Sequence, residues 1–304
     1  MLIELDKVTK TYGKVVALED LSVTLPVGAT GLLGPNGAGK TTMIRTLLGL
    51  IRIDSGAGRV LGMDIRRERL AIRQVVGLVP EDECLFPGLI GVEFVAYAGE
   101  LVGMPSRDAL RRAHEVLDYV GLGEARYRRV ESYSSGMKQR LKIASALVHD
   151  PRLLILDEPT NGMDPAGRDE VLELTHDLAH NKGMSLLFSS HLLPDVEMVC
   201  DHVLVLARGR LLAQGKISEL KQPHDRSFEV RVKADPAHFA GRLTARGCDV
   251  EPHDDLLQVR LPAGTSSDLL WELAASGGDQ IRYLRPQRST LEEVFLKAVE
   301  SEAA

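Results

Sequence analysis

Gly34-Pro35-Asn36-Gly37-Ala38-Gly39-Lys40-Thr41 sets glycines, a lysine and a hydroxyl at the spacing G-x-x-x-x-G-K-S/T. Glycines let backbone N–H groups close around phosphate oxygens. Lys40 can reach the β- and γ-phosphates of a nucleotide, and the Thr41 hydroxyl is a hard oxygen ligand suited to Mg2+. The nucleotide contacts expected here are Gly34, Asn36, Gly37, Gly39, Lys40, Thr41 and Thr42. A second group, Leu153-Leu154-Ile155-Leu156-Asp157-Glu158-Pro159, ends an apolar run in adjacent carboxylates. Asp157 would hold Mg2+, and Glu158 would face the γ-phosphate as base or positioner of the attacking water. Alone, such a pair could equally be a solvated strand cap; beside a phosphate loop it reads as chemistry. A third stretch, Ser134-Ser135-Gly136 before Met137-Lys138-Gln139-Arg140, puts small residues at the mouth of a helix. Free N–H groups and the positive dipole end favour phosphate there too.

These groups need elements to hold them. The glycine-rich loop follows the strand candidate Ala29–Leu33 and opens an apolar helix, 42–50, as a phosphate loop requires. Further strands are expected at Val75–Pro80, Leu153–Asp157, Ser185–Ser189 and His202–Ala207. Alternating with helical patterns, they predict a parallel α/β sheet over the first ~220 residues, with ligands at its carboxyl edge. Between Ser106 and Ala146 the pattern is helical. Leu110, Ala113, Leu117 and Val120 form one apolar stripe, stopped by Gly121, and Met137, Leu141, Ala144 and Val148 form the next. Residues 220–225 read as a linker. Beyond it strands at 227–233, 256–261 and 281–284 alternate with helices at 236–246, 267–275 and 290–300, with room for one more strand near Asp249. That order predicts a small α+β domain of ferredoxin-like type. The expected organisation is therefore a P-loop NTPase core over 1–222, with a helical subdomain at about 84–150, and an accessory α+β domain over 223–304.

Bulk properties exclude several classes. A 304-residue chain with 44% hydrophobic and 26% charged residues is neither disordered nor fibrous. Its net charge of −6 argues against a sequence-independent nucleic-acid binder. Cys84, Cys200 and Cys248 stand in no metal or CxxC spacing and read as reduced thiols of a cytosolic protein. Met1–Asp6 already alternates like a strand, so no signal peptide is expected. The most apolar stretch, Gly88–Met104, is broken by Glu93 and Glu100, so no membrane span is expected. A GTPase would want N-K-x-D; Asn181-Lys182-Gly183-Met184 lacks the aspartate that accepts from guanine. The basic runs at 66–69 and 126–129 read as solvated helix faces.

The phosphate loop, Tyr133-Ser134-Ser135-Gly136-Met137, Leu156-Asp157-Glu158-Pro159-Thr160, Gly162-Met163-Asp164-Pro165 and Ser189-Ser190-His191 follow one another in an order that resembles the ABC ATPase cassette over roughly residues 1–220. The resemblance implies two cassettes meeting head to tail around two ATP molecules with Mg2+. Each ATP then lies between the phosphate loop of one chain and the Ser134/Gly136 segment of the other. It implies catalytic roles for Glu158, His191 and Lys40, a coupling role for Asp164, and an adenine platform at Tyr12, which alone would read as an edge-strand residue. Metal ligation falls to Thr41, Asp157 and Glu81, although Glu81 could equally be a loop acid. Three departures from the family's common pattern stand out: Ser135 and Met137 in the signature, Glu81 where glutamine is usual, and Met163 for leucine.

Residues 289–295, Ser-Thr-Leu-Glu-Glu-Val-Phe, are similar to the end of cassettes in the drug-resistance-type export branch, which uses a separately encoded permease. The implied function is an ATP-hydrolysing subunit that powers a membrane exporter through ATP-driven dimerisation. It would work at the cytoplasmic face of the cell membrane, with a permease and a second cassette (a second copy of this chain) as partners and no nucleic acid. An importer ATPase, or a soluble ABC ATPase acting outside transport, are the alternatives. Leu85–Ile90, with Phe86 at its centre, is the expected docking loop for the permease.

Overall fold

The computed structural model describes residues 1–221, 223–233, 235–253, 256–262, 264–288 and 291–292. They fall into two compact units, the first within Met1–Ile217 and the second within Ser218–Lys297.

In the first unit, β1 (Ile3–Tyr12) and β2 (Val15–Leu25) form a hairpin that buries Ile3, Leu5, Val8, Leu21, Val23 and Leu25. Next come β3 (Ala29–Leu33), α1 (Lys40–Leu47), β4 (Ser55–Val60), β5 (Met63–Asp64), α2 (Arg69–Val75) and β6 (Val76–Val79). The helical segment follows as α3 (Gly91–Leu101), α4 (Ser106–Tyr119) and α5 (Ser135–Leu147). After it run β7 (Leu153–Asp157), α6 (Pro165–His176), β8 (Ser185–Ser190), α7 (Leu193–Val199), β9 (His202–Ala207) and β10 (Arg210–Lys216), and the short α8 (Ile217–Leu220) spans the boundary between the units.

Two sheets result. An antiparallel one has the order β2-β1-β4-β5, which the expectation of a parallel sheet did not include. The other has the order β10-β9-β3-β8-β7-β6, with β9 to β6 parallel and β10 added antiparallel at the edge. Every residue of β3, β7 and β8 is buried, as strands covered on both faces require. The parallel register decides where the chemistry lies. Leu33 pairs with Ser190, Asp157 with Ser189 and Val79 with Leu156. The phosphate loop, the acid pair, His191 and Glu81 therefore all leave the sheet at one carboxyl edge.

In the helical segment the expected stripe holds at Ala113, Leu117 and Val120, which are buried, but not at Leu110, which is exposed while Ala109 and Val116 are buried beside the others. The reason is the close approach of α3: a Cβ on Gly99 would stand 3.2 Å from the Ala109 Cβ, so a small residue faces the contact. Gly121, at φ +72, ends α4 as expected.

The second unit runs β11 (Pro223–Val232), α9 (Pro236–Thr244), β12 (Asp249–His253), β13 (Leu256–Arg260), α10 (Asp268–Gly277) and β14 (Ile281–Arg288). The sheet order is β12-β13-β11-β14, antiparallel throughout, which is the ferredoxin-like arrangement. Phe228, Val230, Val232, Leu257 and Val259 pack with Phe239, Leu243, Leu270 and Leu273 of the two helices. The strand near Asp249 is β12. The expected linker is largely structured, because α8 ends at Leu220 and β11 begins at Pro223. Apart from 291–292, the segment 289–300, expected as export-type tail and final helix, lies outside the described residues.

Candidate functional site

The loop after β3 is shaped by contacts that only glycine allows. A Cβ on Gly34 would meet the Leu206 carbonyl oxygen at 2.4 Å, and one on Gly39 the Ala17 carbonyl oxygen at 2.6 Å. Gly39 has φ +106 and caps α1 without a side-chain hydrogen bond, and no acid occupies the first turn. The N–H groups of that turn are thus left for an anion. The helix starts at Lys40, two residues earlier than expected, which brings Lys40, Thr41 and Thr42 into that first turn.

Lys40 is buried and curls back over the loop. Its Nζ donates to the Gly34 carbonyl at 2.7 Å and lies 3.1 Å from Glu158 Oε1. Thr41 Oγ1 donates to Asp157 Oδ2 at 3.0 Å. Asp157 is 4% exposed, and its Oδ1 is buried with no hydrogen-bond partner among the described residues. Burial pushes the Asp157 carboxyl above the usual range, only partly offset by the hydroxyls of Ser189 and Thr41; the charges of Glu158 and Glu81 add to the rise. An orphaned carboxylate oxygen beside a threonine hydroxyl is a hard-oxygen donor set that suits Mg2+.

Glu158 follows β7 with φ +48, in the left-handed region. Its N–H donates to the Ser189 carbonyl at 3.0 Å, and its own carbonyl accepts from Asn161 N at 3.2 Å, closing a turn. Its carboxylate is shared: Oε1 faces Lys40, and Oε2 lies 2.8 Å from His191 Nδ1. Glu81, just past β6, is tied to the same region. Its Oε1 accepts from Asn161 Nδ2 at 3.1 Å, and its carbonyl accepts from Lys142 Nζ at 3.3 Å. Burial lowers the Lys142 ammonium's pKa against the opposing pull of nearby acids.

Lys40, Thr41, Asp157, Glu158, His191 and Glu81 thus converge on one edge. Among the described residues, no hydrogen bond or ion pair links Tyr12, Ser134, Gly136 or Asp164 to them. Tyr12 ends β1 half-exposed, with Lys10 Nζ 5.2 Å from its ring centroid. Ser134 is the N-cap of α5, its Oγ accepting from Met137 N at 3.3 Å. It stands two helical turns, ~12 Å by helical rise, before the Lys142 that touches Glu81. Asp164 caps α6, accepting from Gly167 N at 3.3 Å.

Thr160, Asn161, Arg168 and Asp195 were not singled out from the sequence. Thr160 is buried and its Oγ1 donates to Asp195 Oδ2 at 2.6 Å; Arg168 Nε donates to Asp195 Oδ1 at 2.9 Å. The available signal was position alone: two residues past Glu158 and four past His191.

Residues 18–161 match the family described as "ABC transporter". Over 303 residues the chain is 35% identical to the linearmycin resistance ATP-binding protein of Bacillus subtilis, with 97% of each chain covered. It is 38% identical to the daunorubicin/doxorubicin resistance ATP-binding protein of Streptomyces peucetius, covering 97% of this chain and 91% of that one. Among solved structures, cbiO1 of Clostridium perfringens, described as part of the ABC transporter complex cbiONQ, superposes with a TM-score of 0.66 at 27% identity. That match covers 72% of this chain and 90% of the other.

Proposed function

The chain belongs to the ABC transporter family as one of its ATP-binding ATPase subunits, and on that premise we propose that it powers an exporter by closing two copies around two Mg-ATP. The observation that carries the reading is the meeting of Lys40, Thr41, Asp157, Glu158 and His191 at the carboxyl edge of β3, β7 and β8.

The N–H groups of the first turn of α1 and the Lys40 ammonium take the β- and γ-phosphates, which draws Lys40 away from Glu158. Mg2+, held by Thr41 and the unpartnered oxygen of Asp157, with Glu81 across the cleft, would neutralise charge on the phosphates. Glu158, then free of Lys40 and oriented by His191 Nδ1, accepts the proton of the attacking water. Tyr12 offers an exposed aromatic face on which the adenine stacks, a contact worth about 1–3 kcal/mol.

Gly136 supports the shared site. Glycine costs a helix about 1 kcal/mol relative to alanine, yet a Cβ there would meet only Gly167 Cα at 3.6 Å and Met163 Cε at 3.7 Å. Nothing among the described residues demands its bareness, which fits close approach by a phosphate held on a second copy. Asp164 stands on the adjoining loop that would couple the two sites.

No helix among the described residues is long and apolar enough to cross a membrane, so the membrane path belongs to a permease. Phe86, Tyr97 and Leu101 are exposed, and the Phe86 ring lies 6.0 Å from that of Tyr97, an apolar surface for it to dock on at the cytoplasmic side. Export is favoured over import because two of the relatives named above are resistance proteins along nearly their whole length. The test is Glu158→Gln: it should bind ATP, hydrolyse it at least ~100-fold more slowly and accumulate as a dimer. Brisk turnover by this variant would remove Glu158 from the role.

A further inference from the structure

Glu158 holds a backbone conformation that side chains disfavour. At φ +48 it stores about 1–2 kcal/mol of strain, which persists only where the surroundings over-determine it. One end of its turn is fixed by Glu158 N on the Ser189 carbonyl and by Asn161 N on the Glu158 carbonyl. The other corner is Thr160, whose hydroxyl is buried and donates to Asp195 Oδ2 at 2.6 Å. Asp195 has no exposure, and its second oxygen is taken by the Arg168 guanidinium.

Asp195 lies in the first turn of α7, four residues after His191, and His191 Nδ1 stands 2.8 Å from Glu158 Oε2. The contacts therefore close a ring. The backbone joins Glu158 to Thr160, a hydroxyl joins Thr160 to Asp195, the backbone returns to His191, and the imidazole returns to the Glu158 carboxylate. Burying a carboxylate is costly even when paired, and an apolar trio of similar volume would hold the fold as well. What the apolar trio lacks is direction.

We propose that Thr160 and Asp195 are positioning residues for the ATPase: their hydrogen bond sets the angle at which Glu158 and His191 meet, and so where the Glu158 carboxylate points. The proposal rests on the reading of Glu158 as the group that activates water. Neither residue contacts Lys40 or Thr41 by any hydrogen bond or ion pair among the described residues, so nucleotide binding is left untouched.

The test is steady-state ATPase kinetics with melting curves on the full chain. Thr160→Val keeps the volume and removes the hydroxyl; it should lower kcat by about 10- to 100-fold, the scale of a small misplacement of a catalytic group, and leave KM for ATP within about twofold. Thr160→Ser should restore most of kcat. Thr160→Ala, which removes the hydroxyl but leaves room for water to reach Asp195, should show the same loss in kcat alone and decides the matter if Thr160→Val does not fold. A Thr160→Val protein with normal kcat, or one with raised KM and normal kcat, overturns the clasp. So does a Thr160→Ser protein no better than Thr160→Val. Glu158→Gln measured alongside separates the two failures. If it is inert while Thr160→Val is normal, only the clasp falls; if it turns over briskly, Glu158 is not the base and the clasp falls with it.

Discussion

Lys40 Nζ stands 3.1 Å from Glu158 Oε1, and neither side chain is more than a tenth exposed. The cation proposed to take phosphate and the carboxylate proposed to take the proton of water hold each other. A nucleotide must part them, so its phosphates compete with Glu158 for Lys40. Glu158→Gln should therefore bind a non-hydrolysable ATP analogue about 3- to 10-fold more tightly than the parent, a gain of roughly 1 kcal/mol that reflects loss of one charged competitor. Equilibrium titration of the isolated chain reads this without interference from turnover; equal or weaker binding would show that the pair does not oppose the nucleotide.

Asp157 gives a prediction about stability. Burial raises its carboxyl, so the folded chain favours the neutral form, and at neutral pH the ionised side chain is held there at a cost. Stability linked to a raised carboxyl is present in acid and lost as pH climbs through its folded value. Asp157→Asn should accordingly melt a few degrees higher than the parent at neutral pH without Mg2+, about what 1 kcal/mol produces in a domain of this size. The difference should shrink as pH falls to where Asp157 itself protonates. ATPase activity should be lost; calorimetry across a pH series is the check.

Glu81 and Asn161 meet as acceptor and donor at 3.1 Å. Glu81→Gln keeps an acceptor for the Asn161 amide and should be mild. Asn161→Asp sets two carboxylates against each other and should lower turnover about 10-fold or more. Combining the two changes restores one donor and one acceptor with their places exchanged, and turnover should recover to within about threefold of Glu81→Gln. Penalties that simply add would mean that the contact carries no coupling.

Phe86 packs its ring toward Phe94 and Tyr97 and remains half-exposed. Phe86→Asp should leave the ATPase rate of the isolated chain within about twofold and abolish co-purification of the membrane partner, since a buried charge at such a centre costs several kcal/mol. Retained co-purification would free this surface from the docking role.

The parts legible in the sequence were those whose chemistry is local. The phosphate loop needs eight consecutive residues, and Asp157-Glu158 terminates a strand whose burial shows in five apolar or acidic letters. Most of the βαββαβ order of the second unit could be read from alternation, with β12 seen only as room for one more strand near Asp249. What escaped depended on approach between distant segments. Leu110 looked like a core residue until α3 came close enough at Gly99 to favour Ala109. The sheet formed by β1, β2, β4 and β5 depends on pairing between separate segments with register shifts along β1, which the alternation seen at Met1–Asp6 does not show by itself. Thr160 and Asp195 are 35 residues apart, and neither type announces a buried carboxylate. The ion pair of Lys40 with Glu158 joins two motifs that could each be read separately, but not as mutual partners.

The central claim is that each ATP site is built from two chains, and mixing two inactive variants tests it most directly. Lys40→Ala removes the phosphate-loop cation and Gly136→Asp blocks the signature segment, so each should be inactive alone. In a mixed dimer both lesions fall in one site, while the other combines an intact phosphate loop with an intact Gly136. ATP hydrolysis should therefore reappear when the two purified variants are combined under conditions that allow exchange. A mixture as inactive as its parents, with mixed dimers demonstrably present, would contradict the shared site.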